Sequence, residues 1–142
     1  MLKIRFKRLH QDAKMPSYAH PGDAGLDLRS LEDYELKPGE RYIFYVGFAL
    51  EFPEGYAAIV KDKGSLPKNA GVHVMGGVYD AGYRGEYNVQ LINLGNVPFK
   101  IEKGQKIAQL VIFLVAIATF EETDNLSETS RGTGGFGSTG TH

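Results

Sequence analysis

The segment Arg131-Gly132-Thr133-Gly134-Gly135-Phe136-Gly137-Ser138-Thr139-Gly140 sets one cation and one aromatic ring among five glycines and three hydroxyls. Such glycines let backbone N–H groups turn inward around an anion. Ser138 adds a hydroxyl donor next to Gly137, and Arg131 has the forked guanidinium that suits phosphate. Phe136 supplies a flat face on which a base can stack. These are the parts of a nucleotide clamp. A low-complexity tail with no clamp function has the same composition.

A second candidate is Gly76-Gly77-Val78-Tyr79-Asp80-Ala81-Gly82-Tyr83-Arg84-Gly85-Glu86. Here Asp80 precedes a tight turn and is placed to polarise a water, while Tyr83 can pack flat on a sugar or base. The competing reading is a plain hairpin in which Asp80 caps the turn and Arg84 pairs with Glu86. In Ala24-Gly25-Leu26-Asp27-Leu28, alternation turns Asp27 away from its apolar neighbours. It can hold a metal or its waters, or simply face solvent. Asp62-Lys63-Gly64-Ser65-Leu66-Pro67 ends a strand and enters a loop, whose Gly64 and Ser65 either bind phosphate or only turn the chain. The four histidines have no ligand spacing and there is no Walker-type loop, so neither zinc nor a P-loop is expected.

The elements that must position these residues are short. Pro21-Gly22, Lys37-Pro38-Gly39, Phe52-Pro53-Glu54-Gly55 and Glu102-Lys103-Gly104 read as turns. Between them, Leu2, Ile4 and Phe6 alternate with basic residues, as do Tyr87, Val89 and Leu91 with Asn88 and Gln90. Tyr42 to Phe48 is apolar on both faces, Tyr56, Ala58 and Val60 form a further run, and Ile107 to Phe120 reads as the last strand, buried over Leu110 to Ala118. No stretch sustains a helical period. Many short strands with regular turns predict an all-β fold, a jelly-roll-like barrel or sandwich. Residues 1–120 form that domain, and residues 121–142, polar and then glycine-rich, form a flexible C-terminal arm.

The 142 residues suit one domain, and 42% hydrophobic residues suffice for a core. A net charge of −1, from 16 basic and 17 acidic residues, argues against nucleic-acid binding by bulk charge. With no cysteine, disulfides and thiolate metal sites are excluded. The N-terminus lacks a signal-peptide pattern and no apolar run is long enough for a membrane helix, so a cytoplasmic protein without membrane contact is expected.

Taken in order, these segments resemble the five motifs of the trimeric deoxyuridine triphosphatase (dUTPase) family. Ala24–Leu28 is similar to the first, Gly77–Glu86 to the third, Lys103–Leu110 to the fourth and Arg131–Gly140 to the fifth; Asp62–Pro67 is a divergent second. The likeness runs from about residue 16 to the end. It implies a jelly-roll homotrimer with active sites between subunits, which hydrolyses dUTP to dUMP and pyrophosphate by water attack at the α-phosphorus. Such an enzyme supplies dUMP for dTTP synthesis and limits uracil in DNA.

The resemblance also implies roles. Asp80 is the catalytic base, and Tyr83 packs on deoxyribose and disfavours a 2′-hydroxyl. The backbone of Gly77, Val78, Tyr79 and Asp80 reads the uracil edge, and Asn88 lines the same pocket. Asp27 and Gln109 reach Mg²⁺ or phosphate oxygens through water, with the Mg²⁺ riding on the triphosphate and no direct protein ligand. Lys63, Gly64 and Ser65 lie by the α- and β-phosphates, Arg131 holds the γ-phosphate, and Phe136 covers the uracil with Gly137 and Ser138 beside it. Two positions depart from the family. Lys63-Gly64-Ser65 stands where Arg-Ser-Gly or Arg-Ser-Ser is usual, and Tyr79 stands in place of isoleucine or valine. Other readings are a dCTP deaminase or bifunctional deaminase of the same fold, and a non-enzymatic nucleotide-binding module.

Overall fold

The computed structural model describes residues 1–141. Strands dominate: β1 (Arg5–Arg8), β2 (Gly25–Arg29), β3 (Tyr34–Leu36), β4 (Arg41–Tyr45), β5 (Phe48–Glu51), β6 (Tyr56–Lys61), β7 (Val72–Met75), β8 (Val78–Asp80), β9 (Asn88–Asn93), β10 (Phe99–Ile101) and β11 (Lys106–Leu114). They pair antiparallel in four sheets: β2-β11-β6-β8, β4-β9-β7, and the pairs β1-β5 and β10-β3. This is an all-β, jelly-roll-like sandwich.

The core follows from alternation. Val89, Leu91 and Asn93 of β9 turn inward, and Phe44 of β4, Val60 of β6 and Leu110 of β11 join them. Buried Asn93 is fully employed: its Nδ2 donates to the carbonyls of Leu36 and Val97, both at 2.9 Å, and its Oδ1 accepts from the Gly95 N–H. One polar side chain thus ties the end of β9 to β3 at no desolvation cost left unmet.

Three elements depart from the sequence expectation. The apolar run Tyr42–Phe48 is two strands, not one. Gly47 breaks it with φ 75°, a left-handed conformation, in a spot where a Cβ would meet the Ala13 Cβ at 2.9 Å. Within β4, Ile43 and Tyr45 alternate with buried Phe44, face outward and stay exposed. The loop expected after Asp62 contains a helix, α1 (Ser65–Ala70), too short to display a period in the sequence. Pro67 fits its first turn, where no N–H is needed, and Gly71 ends it at φ 67° by donating to the Pro67 carbonyl. Finally, β11 ends at Leu114, opposite Tyr56, where β6 begins; one last backbone bond, from the Val115 N–H to the Gly55 carbonyl at 2.9 Å, closes the pairing. Of Leu110 to Ala118, expected as a buried strand, only Leu110 is buried; Val111 and Ile112 are half-buried, and the chain is exposed from Phe113 to Ala118.

Candidate functional site

The expected site residues fall into three groups. The first is built on the paired strands β2, β11 and β6. Asp27 stands opposite Gln109, which stands opposite Lys61. Asp27 does not face solvent: it is only 8% exposed, with Lys63 Nζ 2.6 Å from one carboxylate oxygen and Lys106 Nζ 2.5 Å from the other. Burial pushes its carboxyl up, but the hydrogen bonds from Lys106 and Lys63 outweigh this and hold it below the usual range. Two ammoniums on one carboxylate leave a net positive cluster suited to phosphate oxygens.

Gln109 lies against Gly25, where a Cβ would overlap its side chain, and its Nε2 donates to the Asp62 carbonyl at 2.7 Å. Asp62 is itself anchored. Its Oδ1 accepts from the Val74 N–H at 2.7 Å, and its Oδ2 lies 2.6 Å from His73 Nδ1. So Asp62 fixes the turn that presents Lys63, Gly64 and Ser65. Gly64 and Ser65 are exposed at the start of α1.

Lys106 is a functional candidate that the sequence reading passed over. On a regular strand, positions 106 and 109 point to opposite faces. A register irregularity between Lys106 and Ala108 turns Lys106 to the side of Asp27. Only its place as the second lysine of the Lys103–Leu110 segment hinted at it.

The second group sits on β8 and the following loop. Val78 and Asp80 point outward and Tyr79 inward. Gly77, at φ 102°, packs against Val60, leaving no room for a Cβ. The Asp80 carbonyl accepts from the Tyr83 N–H at 3.1 Å, while its carboxylate has no partner among the described residues. The capping role for that carboxylate is therefore replaced by a backbone bond. Arg84 does not pair with Glu86. Its Nη1 donates to the carbonyls of Ala81 and Tyr83, and Glu86 instead accepts from the Gly47 N–H at 2.9 Å. The loop satisfies its own carbonyls with Arg84, leaving Glu86 to brace Gly47 in the link between β4 and β5. Tyr83 is exposed, and Asn88 is half-buried at the start of β9. The Tyr79 side chain is 8% exposed and turned into the core, so only its backbone is left to line a pocket.

The third group is the arm. Arg131 Nε donates to the Gly134 carbonyl at 2.9 Å, and Gly134, Ser138 and Gly140 close successive turns. Phe136 is wholly exposed and holds a left-handed φ of 51°. Gly137 and Ser138 are exposed beside it. No hydrogen bond among the described residues joins residues 116–141 to the sandwich.

One chain does not bring these groups together. Asp80 stands opposite Ala57 and Gln109 opposite Lys61, which separates them by about 13 Å along β6 at ~3.3 Å per residue. A hollow of 750 Å³ over β4 and β9 is lined by residues such as Arg41, Ile43, Tyr45 and Gln90 and by none of the expected site residues. Among the described residues no cluster of carboxylates and imidazoles is shaped for a metal ion. Among the described residues no helix is long and apolar enough to cross a membrane.

Comparison with known proteins bears on this arrangement. A family model described as dUTPase matches residues 11–140. A Thermobifida fusca protein named deoxyuridine 5'-triphosphate nucleotidohydrolase is 47% identical over 144 residues, covering 99% of this chain and 80% of the relative. A Clostridium tetani protein of the same name is 46% identical, covering 96% of both chains. Among solved structures, a dUTPase of Staphylococcus bacteriophage 80alpha with dUPNHPP superposes with a TM-score of 0.89 at 28% identity, covering 98% of this chain and 99% of that one. With sandwich and arm both inside the match, the chain belongs to the dUTPase family.

Proposed function

We propose that this chain hydrolyses dUTP to dUMP and pyrophosphate, with Asp80 as the base that orients and deprotonates the attacking water. The observation that carries the reading is Asp80 itself: an exposed carboxylate without a partner among the described residues, held at the end of a paired strand beside an exposed tyrosine. Geometry comes first for a general base, and this one is free to meet a water. Water attacks the α-phosphorus, its proton passes to Asp80, and the bond to the bridging oxygen breaks to release pyrophosphate. Tyr83 packs on deoxyribose, Asn88 and the backbone of Gly77 to Asp80 read the base, and Lys63 and Lys106 neutralise the phosphates. From the arm, Arg131 takes the γ-phosphate, Phe136 covers the uracil, and Gly137 and Ser138 donate to the nucleotide. Catalysis at a polyanion rests chiefly on such positioning and charge neutralisation.

The residues fit magnesium carried by the triphosphate. A carboxylate offers about four lone-pair sites, so Asp27 can accept from a metal-bound water while holding both lysines. Gln109 lies opposite it to do the same. The ion, when bound, would offset phosphate charge. A homotrimer is part of the proposal. It is supported by the separation of Asp80 from the lysine cluster within one chain, which a neighbour's surface would bridge. It is also supported by the exposed apolar run Phe113 to Phe120, which needs a cover. The cytoplasm, where nucleoside triphosphates are available, is the proposed place of action.

Incubation of the chain with each deoxynucleoside triphosphate and Mg²⁺, scored for pyrophosphate and ammonia, tests the reaction. Pyrophosphate from dUTP alone is expected. Ammonia from dCTP identifies a deaminase, and binding of dUTP without product identifies a binding module.

Ser65 permits a narrower test. Exposed at the first position of α1, it can supply its hydroxyl to the α/β-phosphates, or the loop can work through backbone N–H groups alone. The hydroxyl is the expected donor. A hydrogen bond to a charged phosphate is worth about 1.5–3 kcal/mol, so Ser65→Ala should lower kcat/KM for dUTP roughly tenfold or more. An unchanged kcat/KM hands the contact to the backbone.

A further inference from the structure

Two walls of the proposed nucleotide pocket belong to different sheets. β8, with Asp80 at its end, is the edge of the four-stranded sheet and bonds only to β6; β9, beginning at Asn88, is the centre of the three-stranded sheet. No backbone ladder joins β8 to β9, although only residues 81–87 separate them. A side chain makes the connection. The Tyr79 hydroxyl donates to the Asn88 carbonyl and accepts from the Asn88 N–H, each at 2.9 Å. Its ring stacks on Tyr87 at 4.0 Å and 12°, and lies 5.4 Å from the Tyr83 ring. Tyr87, wholly buried, has a hydroxyl without a partner among the described residues, so it contributes a flat surface and no polar tie.

We infer that Tyr79 is a positioning residue that clamps the pocket. Its hydroxyl fixes Asn88 against the wall carrying Asp80 and Tyr83, and the resulting stiffness sets the discrimination between deoxyribose and ribose. This rests on the reading above that places Tyr83 at the sugar and Asn88 in the same pocket. The physical need is plain. Rejecting a substrate that differs by one added hydroxyl depends on walls that do not yield, since an apolar surface alone rejects such a group weakly. A three-residue edge strand paired on one side is a weak wall. A buried hydroxyl that both donates to and accepts from one residue of the facing strand restricts sliding along the strand as well as separation from it.

The test is steady-state hydrolysis of dUTP and UTP with Mg²⁺ by the full chain, beside thermal melting. Tyr79→Phe keeps the ring and removes both bonds to Asn88. It is made in the parent and in a Tyr87→Phe background, where loss of an unsatisfied buried hydroxyl offsets destabilisation. The expected result, below the melting range, is a preference for dUTP over UTP narrowed about tenfold, within the ~10²-fold that a 1 Å misplacement can cost. A lower Tm with an unchanged preference makes Tyr79 a core residue only and overturns the inference. Failure of both variants to fold does the same. Tyr83→Ala, measured alongside, separates the two levels. If it changes the preference while Tyr79→Phe does not, the clamp falls and the sugar contact stands. If neither changes it, both fall.

Discussion

Replacing Asp80 by asparagine is expected to lower kcat for dUTP by about 10²–10⁴-fold, the range supplied by a positioned general base. The substitution keeps the shape of the side chain and removes its basicity. Asp80 is exposed and its carboxylate braces nothing among the described residues, so the fold has no reason to respond. Its backbone bond to the Tyr83 N–H, which shapes the loop, does not involve the side chain. Affinity for a non-hydrolysable dUTP analogue should accordingly hold while turnover falls, the pattern of a group needed in the transition state rather than for binding. Calorimetric titration with such an analogue, beside pyrophosphate release, checks both halves. Turnover near that of the parent would remove Asp80 from the role.

Removing residues 131–142 is expected to abolish most activity and spare the sandwich. Arg131 through Thr141 bury no apolar side chain, and Phe136 is wholly exposed. Melting without nucleotide should therefore shift little, because the arm adds nothing to the core. Activity should fall for a separate reason. On the proposed reading, Arg131 would supply a charge-assisted phosphate contact worth about 1.5–3 kcal/mol and Phe136 a base-stacking ring worth about 1–3 kcal/mol. Together these amount to roughly 10²–10⁴-fold in kcat/KM if both act in the transition state. Phe136→Ala removes the stacking share alone and should be the milder variant. The left-handed conformation of Phe136 favours rearrangement once its ring has a surface to meet. An unfolded truncated chain, or one that turns over dUTP normally, rules out the clamp.

Much of this protein was legible in its residues. Glycine and proline punctuation between β-branched and aromatic runs predicts an all-β fold, and the sheets have that character. The order of the five segments points to the family to which the chain belongs. Both signals are local: turns follow from residues with restricted or permissive backbones, and a motif is a string of neighbours.

Other features depended on partners distant in sequence. Asp27 reads as a solvent-facing or metal-holding carboxylate until Lys63 and Lys106 arrive from other elements to surround it. Lys106 reaches it only through an irregularity in β11, where strict alternation sends that side chain to the other face. Tyr79 reads as a pocket residue, but β8 pairs with β6 in the register that turns it inward to Asn88. The end of β11 was likewise settled by where β6 runs out, not by the apolar run continuing beyond it. Composition and spacing determined the class of fold, the family and the residue types available for chemistry, because these need only neighbours along the chain. Which carboxylate is sequestered, which stays free, and which tyrosine faces inward were decided by strand register, since a shift of one residue reverses every side chain on a strand.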